Sequence, residues 1–150
     1  MITIRELGIR VHHGRAPWDE TQPYSTVELI LDGRSLQGWV EKTVPHGQDV
    51  PEHLGHPTNV DLRALLQGEL AHEDSDEPGE FAWERWGGLT SILGCSCGHV
   101  DCGPLLCHIT MGDDVVTWTD FREGFEPERT YDLAFQFSRA TYDAALNSQI

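Results

Sequence analysis

Residues 131–142 read Tyr-Asp-Leu-Ala-Phe-Gln-Phe-Ser-Arg-Ala-Thr-Tyr. Tyr131, Leu133, Phe135 and Phe137 alternate without error against Asp132, Ala134 and Gln136. A period of two predicts a strand with one buried face, because successive side chains leave opposite sides of a sheet. Ser138 closes the alternation and suits a helix N-cap, its hydroxyl being able to accept from the first free backbone N–H groups. Tyr142, Ala145 and Leu146 then recur at helical spacing and predict a short C-terminal helix with these residues inward.

Strands precede this pair. Val115 to Phe121 with Trp118, and Leu105 to Thr110 before it, are joined by the turn residues Gly112-Asp113-Asp114 and read as an antiparallel meander. Leu89, Ser91 and Leu93 begin a further strand. Nearer the N-terminus, Ile2 and Ile4, then Leu7, Ile9 and Val11, read as one strand bulged at Gly8. His12 to Tyr24 reads as a loop. Val27, Leu29 and Leu31 predict a strand, and Asp32-Gly33 predicts a two-residue hairpin turn. The return arm, Arg34 to Glu41, is assigned as a strand, although Leu36, Trp39 and Val40 also stand at helical spacing. Residues 43–57 are irregular. Thr58 or Asn59 is expected to cap a helix to about Ala71, with Leu62, Leu65, Leu66 and Leu70 as its apolar stripe and Asp61 in its first turn. The fold class is therefore α+β: a mostly antiparallel sheet with hairpins and two short helices.

The chain of 150 residues suits one domain, 1–150, large enough to bury a core without staples. Glu69 to Glu80 holds six carboxylates in twelve residues and is expected to end the helix and become a mobile acidic loop over about 72–80. After it come Trp83 and Trp86, which can pack into the core or line a surface.

Lys and Arg number 10 against 25 Asp and Glu, a net charge of −15. That balance argues against nucleic acid and anionic membranes as partners and favours a basic protein, drawn in by electrostatic steering. No segment reaches the roughly 18 apolar residues a membrane helix needs. The N-terminus lacks the basic and apolar segments of a signal peptide, so a cytoplasmic location is expected.

One cluster carries possible chemistry. Cys95, Cys97 and Cys102 lie within eight residues, with His99 between them and Cys107 and His108 beyond. Thiolate and imidazole are the preferred zinc donors, so Cys95, Cys97, Cys102 and His99 are the candidate metal ligands and zinc the candidate cofactor. Asp101 is a weaker candidate. Cys107 shares the alternation of Leu105 and Ile109 and is expected to face the core. Reduced packing cysteines, a short disulfide or a reactive thiol are the other readings of the same residues. His53 and His56 form a loose pair flanked by Pro51 and Pro57, read as loop residues. No phosphate loop, dinucleotide fingerprint or Gly-x-Ser-x-Gly setting occurs.

Cys95, Cys97, Gly98, Cys102, Pro104 and Leu105, then Val116, Trp118 and Phe121, make a pattern that resembles a family of bacterial proteins frequent in actinobacteria and relatives. Phe137, Arg139 and Tyr142 resemble it again. The likeness covers roughly residues 89–146 and extends more weakly to the Asp32-Gly33 hairpin. It implies a cytoplasmic bacterial protein and carries over no activity. It also implies an apolar role at position 107, which leaves three cysteines for any metal.

The expected function is a non-enzymatic binding or interaction protein with an acidic, Trp-rich surface. The alternative is a small thiol-based redox or metal-stapled protein using residues 95–102.

Overall fold

The computed structural model describes residues 1–58, 61–69, 88–95 and 103–149. Among these, two sheets and three helices form an α+β fold. Nine strands run in chain order: β1 (Ile2–Ile4), β2 (Leu7–Ala16), β3 (Asp19–Leu31), β4 (Arg34–Ser35), β5 (His53–Leu54), β6 (Thr90–Cys95), β7 (Leu105–Met111), β8 (Val115–Glu123) and β9 (Phe135–Ser138). The helices are α1 (Leu36–Thr43), α2 (Leu62–Leu66) and α3 (Arg139–Gln149).

The larger sheet has the order β1-β9-β8-β7-β6-β5. Every neighbour pair in it is antiparallel except β1 on β9, which is parallel. The alternation read from the sequence sets its faces. Met111, Val116, Phe137 and Ile4 form one cross-strand rank, and Ile109, Trp118, Phe135 and Ile2 form the next on the same side. Val116, Trp118, Phe135 and Phe137 are wholly buried. The intervening rank, Thr110, Thr117, Gln136 and Thr3, lies on the opposite face, as the pleat requires. Tyr131 and Leu133 keep the buried phase of the alternation but precede the ladder, so the strand is shorter than its pattern.

Ser138 caps α3 as expected, its hydroxyl accepting from Thr141 N at 3.1 Å. Tyr142 and Leu146 point inward and are fully buried. Trp118 Nε1 donates to the Tyr142 hydroxyl at 3.0 Å, and that hydroxyl donates to Leu66 O. One phenol thus ties α3, β8 and α2 together with both its polar roles satisfied.

The smaller sheet has the order β2-β3-β4. Asp32 (φ 49°) and Gly33 (φ 81°) both take the left-handed conformation that a two-residue hairpin requires. The Asp32 carboxylate accepts from Arg5 N at 2.9 Å and Glu6 N at 2.8 Å. That clamp is where the chain leaves one sheet for the other. The N-terminal segment is therefore two strands broken at Arg5-Glu6, and not one strand bulged at Gly8.

Three other expectations are corrected. Residues 12–24 are not a loop: β2 and β3 pair from Leu7↔Leu31 out to Ala16↔Asp19. The outer part escaped notice because residues 10–13, 15 and 17–23 are exposed and carry no apolar alternation. The return arm forms only Arg34–Ser35 as strand and then turns into α1, because the Ser35 hydroxyl caps it by accepting from Gly38 N at 3.1 Å. Leu36 and Val40 are then buried at i and i+4, and Trp39 Nε1 donates to Leu31 O at 3.0 Å. Finally, α2 is capped by Asp61 itself, which accepts from Ala64 N at 3.1 Å. It stops at Gly68 (φ 77°), whose N–H returns to Leu65 O. Asn59, Leu70 and Ala71 lie outside the described residues.

Among the described residues no helix is long and apolar enough to cross a membrane.

Candidate functional site

The segment 53–57 joins the two sheets. His53 and Leu54 pair with Cys95 and Gly94 of β6. Two residues on, His56 O accepts from Val27 N of β3 at 2.8 Å, and Pro57 bridges to Thr26. Gly55 makes this possible: a Cβ there would stand 2.0 Å from Val27 O. Both histidines are driven inward by this double anchoring, with 6% of His53 and 2% of His56 exposed. The loose pair of loop residues expected from the sequence is thus two buried side chains with separate partners. His56 Nε2 donates to Ser91 O at 2.6 Å.

His53 belongs to a longer chain. Gln37 Nε2 donates to Pro51 O at 3.0 Å. A carbonyl can only accept, so the amide group of Gln37 is committed and its Oε1 faces His53 Nδ1 at 2.8 Å. Nδ1 therefore carries a hydrogen. On the other side, Nε2 meets both Glu123 oxygens, at 2.8 Å and 3.0 Å. The Tyr131 hydroxyl donates to Glu123 Oε1 at 2.6 Å. Both ring nitrogens of His53 are thus engaged, Nδ1 by Gln37 and Nε2 by Glu123. Burial pushes the Tyr131 hydroxyl well above its ordinary value, and its bond to the Glu123 carboxylate adds to the shift. Tyr131 is accordingly a fixed donor.

Two members of this chain, Gln37 and His53, line a cleft of about 240 Å³. Its lining includes Thr26 and Glu28 of β3, Gln37 of α1, His53, Gly55 and Leu93. Because both ring nitrogens of His53 are already bonded, the imidazole serves the cleft as a rigid wall. It acts as a base only if Gln37 or Glu123 lets go.

Of the cysteine cluster, the described residues include only the backbone of Cys95. Cys95 ends β6, directly across the ladder from His53, but its side chain lies outside the described residues. Cys97, His99 and Cys102 lie outside them entirely, as do the acidic, Trp-rich residues 72–86. Cys107 faces the core as expected, wholly buried and reduced. Burial drives its thiol far above the usual range, and the Asp120 carboxylate adds to this. Among the described residues, no group of three or more His, Cys, Asp or Glu could hold a metal.

A second feature is the β2–β3 ribbon. It ends in Pro17-Trp18, with Glu20 to Gln22 looped out between the pairs Arg15↔Pro23 and Ala16↔Asp19. Trp18 is 45% exposed, and its ring meets Tyr24 edge to face, with centroids 4.9 Å apart. Asp19 accepts from the Thr21 hydroxyl at 2.7 Å and from Thr21 N at 3.0 Å. The hydroxyl bond first, and the backbone bond second, hold its carboxyl below the ordinary value and keep it ionised.

Sequence reasoning missed the Gln37–His53–Glu123–Tyr131 chain, because its members are up to 70 residues apart in direct contact. One signal was present: Glu123 stands at a buried phase of a strand whose other inward residues are Val116, Trp118 and Phe121. Compared with protein-family models, curated proteins and solved structures, the chain matches none of them.

Proposed function

We propose that this chain is a non-enzymatic binding protein whose acidic surface takes a basic protein partner. The observation that supports it is the placement of the charge. Glu123 is the single buried carboxylate among the described residues, and every other described Asp and Glu is at least partly open to solvent. Among the described residues the acidic excess is therefore a surface field. Such a field speeds encounter with a basic partner and is screened by salt, with a Debye length of about 10 Å at 0.1 M. The engaged nitrogens of His53 fit a wall better than a reacting base. On this reading the chain works in the cytoplasm, where thiols are kept reduced. The test is capture from cell lysate on the immobilised chain at low and high salt. A basic protein retained at low salt and released at high salt is expected. Recovery of no basic partner under either condition overturns the reading.

The alternative is thiol or zinc chemistry at Cys95, Cys97, Cys102 and His99. The observation favouring it is the ladder register that sets Cys95 opposite the buried His53. Native and denatured masses of chelator-free protein decide it. A zinc-sized excess in the native mass alone supports a metal staple, and a denatured mass short by two hydrogens supports a disulfide. The plain reduced mass in both removes this alternative.

A further inference from the structure

Resting on the reading of an acidic binding protein, we propose that the tip of the β2–β3 ribbon is the docking surface. There, an arginine or lysine of a basic partner segment seats on the Trp18 ring and pairs with Asp19 and Glu20. Trp18 is a large aromatic that the fold leaves 45% exposed, at the end of a ladder that runs out from Leu7↔Leu31 and is bulged before its last pair, Ala16↔Asp19. A ring held edge-on by Tyr24 presents its surface with little ordering left to do on binding.

The molecule itself shows what such a ring takes. Trp39 carries the Arg34 guanidinium 5.2 Å and the Lys42 ammonium 5.4 Å from its ring centroid. No cation occupies the Trp18 ring in the same way among the described residues, and the nearest one along β2, Arg15, is paired in register with Pro23. The two residues after Trp18 are carboxylates instead, one of them pinned in its ionised form by Thr21. Glu20 lies in the looped-out segment and is exposed. An aromatic face followed directly in the chain by two carboxylates matches a cation on an aliphatic stem: the ring takes the charge and the stem, and the carboxylates take the N–H donors. A polyanion or an acidic peptide would meet like charge at the same place.

The probe is a fluorescently labelled nonapeptide of alternating arginine and glycine, titrated against the full chain in physiological salt. The tip variant combines Trp18→Ala, Asp19→Asn and Glu20→Gln. A control variant, Asp113→Asn with Asp114→Asn, removes the same formal charge at the exposed β7–β8 turn. The altered side chains are all exposed, and near-UV circular dichroism verifies that both variants fold. Loss of one exposed cation–π contact and two surface pairs predicts binding weakened about tenfold in the tip variant. The control is expected to stay within about twofold of the wild type. Equal weakening of both variants overturns the docking site and leaves the acidic reading standing. No binding by the wild type also overturns it, and the salt-dependent capture then decides separately on the acidic reading.

Discussion

His53 and Glu123, separated by 70 residues in the chain, are joined in the fold, with Nε2 2.8 Å from one carboxylate oxygen and 3.0 Å from the other. The pair connects the short β5 to the last residue of β8, and Gln37 and Tyr131 complete its hydrogen bonds. Removing one partner leaves the other buried without a counterpart. Glu123→Leu alone is expected to cost about 3–5 kcal/mol, whereas His53→Phe combined with Glu123→Leu should cost less than the sum of the two single changes. Urea denaturation of the four species measures this. Additive losses, each below about 1 kcal/mol, would show that the pair does not form in solution.

Alkaline pH should unfold the protein through buried protonated groups. Burial raises the Cys107 thiol above its ordinary 9.0 and the Tyr142 hydroxyl above its ordinary 10.0. The folded state therefore keeps protons that the unfolded chain releases. This stability is fully present below about pH 9 and is lost as pH rises from there, by up to ~1.4 kcal/mol per pH unit for each group. Tyr142→Phe should make the decline above pH 10 shallower. Thermal melts from pH 7 to pH 11 test it, and an unchanged slope in the variant would contradict the assignment.

Gly55→Ala and Gly33→Ala should differ sharply. At Gly55 the new Cβ would collide with Val27 O at 2.0 Å, and backbone cannot step aside without breaking the bridge from segment 53–57 to β3. A loss of at least ~3 kcal/mol is expected. At Gly33 there is open space, and the cost is only the left-handed conformation, about 1 kcal/mol. Melting temperatures of the two variants, measured side by side, check the order.

Two tryptophans should likewise separate. Trp118 is wholly buried against Phe135, Phe137 and Tyr142, so Trp118→Ala should cost about 3–5 kcal/mol. Trp18→Ala should change stability by no more than ~0.5 kcal/mol. A large loss at Trp18 would mean that the ribbon tip supports the fold.

The helix cap at Ser35 gives a smaller and local test. Ser35→Ala removes the acceptor for Gly38 N and should cost about 1 kcal/mol, which Ser35→Asp should largely avoid. Equal losses in both would place the effect elsewhere than the cap.

Local pattern made much of the fold legible. The meander of β6 to β9, the Asp32-Gly33 turn, the inward Cys107 and the Ser138 cap each depend on contacts within a few residues, and so on spacing alone. The outer ribbon, residues 12–24, was not legible, because a mostly exposed ladder has no apolar period to read. The change from β4 to α1 was ambiguous for a physical reason. Leu36 and Val40 fit either period, and the Ser35 cap together with the seat of Trp39 on Phe135 settled it. The candidate metal ligands Cys97, His99 and Cys102 lie outside the described residues, and so does the acidic stretch 72–80.

By itself the sequence determined the α+β class, the phase of the central strands and the acidic charge, since these follow from side-chain order and composition. Tertiary structure decided what the polar residues do. His53 became a bonded wall of a cleft only because Gln37 and Glu123 reach its two ring nitrogens, themselves held by Pro51 and Tyr131. A buried polar group must find partners wherever the fold supplies them, and spacing along the chain carries no record of which distant groups those are.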